Sequence, residues 1–199
     1  NFMKNLMLIV VILLFSGNCL AVDSGSLGQG MVNPGYYEKP GWFKESFLDL
    51  AEDLQEANDN NKKLFLYFHQ DGCPYCNKLL KDNFSRKDIV NKMQTSYDVL
   101  EINIWGDKTI TLLSAEEVSE KEFARRMKVM FTPTSLILDK NGNEQFRMSG
   151  YYAPDKFTVV LDYVLLATTQ KPSFNDYYLQ QRKILQNNTQ TALYTEAFI

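Results

Sequence analysis

Apolar and polar positions alternate along the chain with periods that change from segment to segment. Phe43, Phe47, Leu50, Ala51 and Leu54 recur at helical spacing, with Glu45, Asp49, Glu52, Asp53 and Glu56 on the other side. That pattern predicts an amphipathic helix running on from Gly41 and stopped by Asn58-Asp59-Asn60-Asn61. Leu64-Phe65-Leu66-Tyr67-Phe68 is a continuous aromatic-rich run, the mark of a strand buried on both faces. After His69-Gln70-Asp71-Gly72 a new helix opens at a cysteine motif, and Leu79, Leu80 and Phe84 carry it inward. Tyr97 to Ile104, with Leu100, Ile102 and Ile104 on one side, reads as a second strand. Ser119-Glu120-Lys121-Glu122 is a capping-box pattern ahead of Phe123, Ala124 and Met127, so a short helix begins there.

Ser135 to Asp139 and Glu144 to Met148 flank Asn141-Gly142, a hairpin signal in which Asn-Gly would supply positive φ angles. Pro154 opens a last helix with Phe157, Val160, Leu161, Val164 and Leu165 on one stripe. The order strand, helix, strand, helix, hairpin, helix predicts an α/β fold. Its mixed central sheet of about four strands, parallel at first and closed by an antiparallel hairpin, would be flanked by helices. The expected organisation is a signal peptide over 1–21, a Gly- and Ser-rich lead-in over 22–40, a domain over 41–170 and an extension over 171–199 that has some helical character. Met127, Met130, Trp42 and Trp105 read as packing residues, and Glu116 and Glu117, like Asp49 to Glu56, as solvated helix faces.

The amino-terminal segment separates from the rest by composition. Lys4 precedes the apolar run Leu6 to Phe15, which is short against the roughly 20 residues of a membrane span. Small residues then lead to Ala21, a pattern that favours export and cleavage after that residue. A lipoprotein signal using Cys19 and an uncleaved anchor are the alternatives. Cleavage would remove Cys19 and leave Cys73 and Cys76 as the only thiols. A net charge of -3 and a pI near 5.3 supply no basic surplus for a nucleic-acid backbone.

Two cysteines in Gly72-Cys73-Pro74-Tyr75-Cys76, at a strand-to-helix junction, point to thiol–disulfide exchange. A cysteine at a helix N-terminus meets unpaired N–H groups and the positive end of the dipole, both of which favour thiolate. Cys73 holds that position and is the expected nucleophile. Cys76, one turn on and expected to be the more buried, is the expected resolving thiol. A structural disulfide closing so small a loop removes little chain entropy. A zinc site would lack ligands, because only His69 accompanies the pair; copper(I) held by two thiolates stays open.

The local sequences Cys73-Pro74-Tyr75-Cys76, Asn103-Ile104-Trp105-Gly106-Asp107, Phe131-Thr132-Pro133-Thr134 and Gly150-Tyr151-Tyr152 occur in this order. Over about Leu64 to Leu166 the chain resembles thioredoxin-fold proteins, and most closely the exported SoxW-type thioredoxins linked to bacterial sulfur oxidation. The resemblance implies a cis-proline at Pro133 facing the cysteines and backbone contacts from Thr132 to a substrate peptide. It further implies a periplasmic oxidoreductase that works without a cofactor or metal on the disulfides or thiols of exported proteins, with a membrane thiol transporter as a candidate electron donor. A monomer is the default expectation. Tyr75 and Pro74 would shape the groove and tune the pair, and a protonated His69 could steady the thiolate. The family's buried acid six residues before the nucleophile is here Tyr67, so proton transfer from the resolving thiol must use water or another carboxylate, or proceed more slowly.

Overall fold

The computed structural model describes residues 38–167 and 170–196. The expected signal segment and most of the lead-in lie outside the described residues. Six helices and six strands are described: α1 Leu50–Asp59, β1 Lys63–His69, α2 Pro74–Asp82, α3 Lys87–Ser96, β2 Tyr97–Asn103, β3 Thr109–Thr111, β4 Glu117–Ser119, α4 Glu120–Arg126, β5 Thr134–Leu138, β6 Glu144–Ser149, α5 Pro154–Leu165 and α6 Phe174–Glu196. Among the described residues no helix is long and apolar enough to cross a membrane.

β1 is interior because each of its central residues has a core to enter. Phe65 and Tyr67 face one hydrophobic cluster, built with Cys73, Cys76 and Leu79, with Ile89 and Met93 of α3, and with Phe157, Val160, Leu161 and Val164 of α5. Leu64, Leu66 and Phe68 face the other, with Leu50 and Leu54 of α1 and Phe123 and Ala124 of α4. Successive strand residues point to opposite faces, so one aromatic-rich run serves both layers. The sheet order is β2-β1-β5-β6. β1 runs parallel to β2, with Tyr67 level with Glu101, and antiparallel to β5, which pairs antiparallel with β6. The mixed α/β sheet follows the expected order, because a helical crossover returns the chain in the same direction and a hairpin reverses it.

Several expectations are corrected. The first helix starts at Leu50 rather than near Gly41, and Phe47, placed on its inner stripe, is 98% exposed. Ser46 Oγ accepts from Leu48 N at 2.7 Å and donates to Asp53 at 2.5 Å, while Asp49 caps Ala51 and Glu52. These local bonds hold the backbone in a turn that competes with helix. Asp53 is therefore buried and is no part of a solvated face.

In the hairpin only Gly142 takes a positive φ, 82°. Asn141 instead donates its N–H to the Asp139 carboxylate, and Gly142 N closes the turn on Asp139 O at 3.0 Å. Glu116 and Glu117 lie at the β3–β4 hairpin, not on a helix, and Glu116 pairs with Arg126. Met130 is 84% exposed and so is not core filler, and Trp105, 63% exposed, packs against neither cluster; Met127 and Trp42 do pack against the clusters.

Candidate active site

The chemistry sits where β1 ends. Three residues after His69, Gly72 adopts a φ of 70°, which a side chain would oppose, and turns the chain into α2. Cys73 is the N-cap residue and Pro74 occupies the first turn, where its missing N–H costs nothing. A disulfide joins Cys73 to Cys76, whose Cα atoms are 5.2 Å apart. Cys73 Sγ also accepts from Cys76 N at 3.0 Å and from Thr132 Oγ1 at 3.3 Å. Burial does not separate the two cysteines, at 6% and 5% exposed, contrary to the expectation that Cys76 would be the deeper. What separates them is the direction of the donors, which converge on Cys73.

The Thr132–Pro133 peptide is cis. Pro133 O accepts from Gly150 N at 2.8 Å, and Thr134 Oγ1 donates to Phe131 O at 2.8 Å. These bonds fix the segment that carries Thr132 to the disulfide. Tyr75, in the first turn of α2 between the cysteines, is 52% exposed and Phe131 is similarly open. Trp105 joins this side of the molecule through Nε1, which donates to Gln70 Oε1 at 2.9 Å.

Below the cysteines lies a cavity of about 20 Å³ lined by Tyr67, His69, Gln70, Asp71, Gly72, Cys73, Cys76, Asn77, Leu80 and Glu101. The His69 and Tyr67 rings are stacked, with centroids 5.6 Å apart. His69 Nε2 is 3.1 Å from Glu101 Oε1. Burial lowers the imidazole to about 4, outweighing the opposing pull of Asp71. His69 is thus neutral at neutral pH and brings no positive charge to the sulfurs. Burial raises the Glu101 carboxyl, with Lys39 and Lys108 acting against it, and raises the Tyr67 phenol, with the charge of Glu101 adding.

Cys73, Cys76, His69 and Thr132 meet here, with Pro74 and Pro133 beside them in sequence, whereas no local motif marks Glu101 or Glu120 as part of the site. The available signal for Glu101 was its place on the predicted second strand, whose neighbours are apolar. Glu120 is buried and accepts from Asn103 N at 3.0 Å and Lys108 N at 3.3 Å. A Cβ on Gly106 would fall 1.9 Å from its Oε2, which explains the glycine after Trp105. Among the described residues no group of three or more His, Cys, Asp or Glu side chains could hold a metal ion.

Residues 50–165, more than half of the 199-residue chain, match the family model of a thioredoxin-like domain. The chain belongs to the thioredoxin-like family. A thioredoxin-fold protein from Helicobacter pylori superposes with a TM-score of 0.52 at 21% identity, covering 63% of this chain and 87% of that one. A thioredoxin from Thermus thermophilus gives a TM-score of 0.47 at 23% identity, covering 59% and 85%. An oxidoreductase named DsbH gives 0.48 at 16% identity, covering 67% and 93%. The first of these supports the fold; no curated protein matches the chain by sequence. With its Cys73–Cys76 disulfide, this thioredoxin-like chain is a thiol–disulfide oxidoreductase.

Proposed function

We propose that the protein is an exported disulfide reductase, with Cys73 as nucleophile and Cys76 as resolving thiol. The reduced Cys73 thiolate attacks a substrate disulfide, forming a Cys73–substrate bond and releasing one substrate thiolate. The Cys76 thiolate then attacks Cys73 Sγ, closing the internal disulfide and releasing the second, so two electrons pass to the substrate. Thr132 and Pro133 with the exposed Tyr75 form the face that receives the substrate peptide. The donors are a membrane thiol transporter and the substrates exported proteins, an assignment supported by the amino-terminal pattern and the SoxW-like motifs.

The observation that carries the direction is the charge around the pair. A strongly oxidising dithiol owes its potential to a heavily stabilised thiolate. Here the cavity lining holds no lysine or arginine, its histidine is neutral, and its charged members are Asp71 and Glu101. The helix N-terminus and Thr132 remain as the stabilising donors. Weak stabilisation of the anion keeps the disulfide harder to reduce.

Equilibration of the pair with glutathione tests this. The potential should fall nearer thioredoxin's value of about −270 mV than the roughly −120 mV of a strong oxidant. Cys73→Ser should abolish insulin-disulfide reduction, and Cys76→Ser should accumulate the mixed disulfide. A potential near the oxidising end would make the protein an oxidase or isomerase. Copper(I) retained against a strong chelator, without insulin reduction, would make it a metal-binding module.

A further inference from the structure

We propose that Glu101, on β2, is the group that takes the proton from the Cys76 thiol when the mixed disulfide is resolved, with His69 positioning its carboxylate. The inference rests on the exchange chemistry proposed above and assigns its proton.

The placement follows from the sheet. β1 and β2 are parallel and Tyr67 is level with Glu101, so both side chains stand on the same face. Tyr67 belongs to the cluster that contains Cys73 and Cys76, and His69, two residues on, shares its side. Tyr67, His69, Glu101 and Cys76 accordingly line one cavity, whose volume of about 20 Å³ accommodates about one water molecule. The Tyr67 hydroxyl, buried there, has no hydrogen-bond partner among the described residues, so a bound water would find a polar partner in it as well as in the carboxylate. A water in this position would connect the thiol to Glu101.

The surroundings of Glu101 also favour the task. Its environment is Tyr67 and His69 on β1, Asp71 and Lys108 on the flanking loops, Lys39 on the amino-terminal side, Glu120 at the start of α4 and Cys76 on α2. Burial raises the carboxyl, with Lys39 and Lys108 opposing, which makes its anion a stronger base than a surface glutamate. His69, 3.1 Å away and neutral, holds the carboxylate without neutralising it. In the step, the Cys76 S–H proton passes to the Glu101 carboxylate and the resulting thiolate attacks Cys73 Sγ. The Cys73–Cys76 bond forms, the Cys73–substrate bond breaks, and the departing substrate thiolate takes its proton from solvent.

A charge that only sat near Cys76 would act in the opposite sense, since a carboxylate disfavours a neighbouring thiolate and its removal would speed resolution. That contrast supplies the test. Reduced full-length protein carrying Cys19→Ser is mixed with one equivalent of 5,5′-dithiobis(2-nitrobenzoate). The first chromophore released reports attack by Cys73 and the second reports resolution by Cys76. Glu101→Gln should slow the second phase by about tenfold or more near neutral pH, the low end of general-base effects. The variant's deficit should close above about pH 9, where the thiol ionises unaided. Glu101→Asp should recover part of the rate, and His69→Gln should lower it less than Glu101→Gln does.

An unchanged or faster second phase in Glu101→Gln overturns the proposal. A slow phase that stays equally slow at high pH overturns it too, since that would reflect misplaced sulfurs. If the parent protein shows no second phase at all, the resolving role of Cys76 fails first, and the proposal with it.

Discussion

His69 shows how burial sets the state of a side chain that the sequence only places. Its position at the end of β1 suggested a cation beside the thiolate, whereas burial against Tyr67 lowers it from 6.5 to about 4. A folded pKa below the unfolded one means that the unfolded chain binds more protons between those values. Stability should therefore rise with pH across this window and fall as pH drops through it, by about 2 kcal/mol between pH 7 and pH 5. Glu101, raised by burial, contributes with the opposite sign. Urea unfolding at the two pH values checks the balance, and His69→Gln, which keeps Glu101, should flatten the profile by the imidazole's share. The cysteines and Pro133 were legible because their chemistry depends on short local spacing. Glu101 was not, because its relevance arises from the parallel register of Tyr67 with a residue 34 positions away, a long-range pairing that no local pattern encodes.

At the scale of elements, the first helix is the instructive miss. Phe43 and Phe47 satisfied the helical period, but Ser46, Asp49 and Asp53 make a local hydrogen-bonded turn, with Leu48 at a φ of 61°. Asp49→Ala removes the cap that receives Ala51 and Glu52, and should destabilise the protein by about 0.5–2 kcal/mol in urea unfolding, with insulin reduction by the folded fraction unchanged. The counterpart at α4 was readable because Ser119 stands where a capping box places it, accepting from Glu122 N. Helix α3 lacked any such signal, since its N-cap Arg86 makes no side-chain cap and only Ile89 and Met93 are buried. β3 and β4, three residues each, are too short for a period of two to show.

For the molecule as a whole, the sheet's outer edge raises a question about α6. Phe174 at its start lies 4.9 Å from Phe146 of β6 and 5.4 Å from Tyr163 of α5, and Tyr177 lies 5.5 Å from Tyr163. Phe146, Tyr163 and Phe174 rest on the same cluster that buries Cys73 and Cys76. Lys171 Nζ adds bonds to Tyr163 O and Val164 O at the end of α5. None of these residues lines the cavity beneath the cysteines. The extension therefore supports the core at a site separate from the chemistry. A chain ended at Ser173 loses the three aromatic pairs that join α6 to β6 and α5, each of about 0.5–1.5 kcal/mol beyond area burial, and should be less stable by about 2–4 kcal/mol. Its reduction potential and its rate of insulin reduction per folded molecule should match those of the full chain. A shift in potential on truncation would instead tie α6 to the redox centre, and an unchanged unfolding midpoint would show that the ring contacts add nothing to the fold.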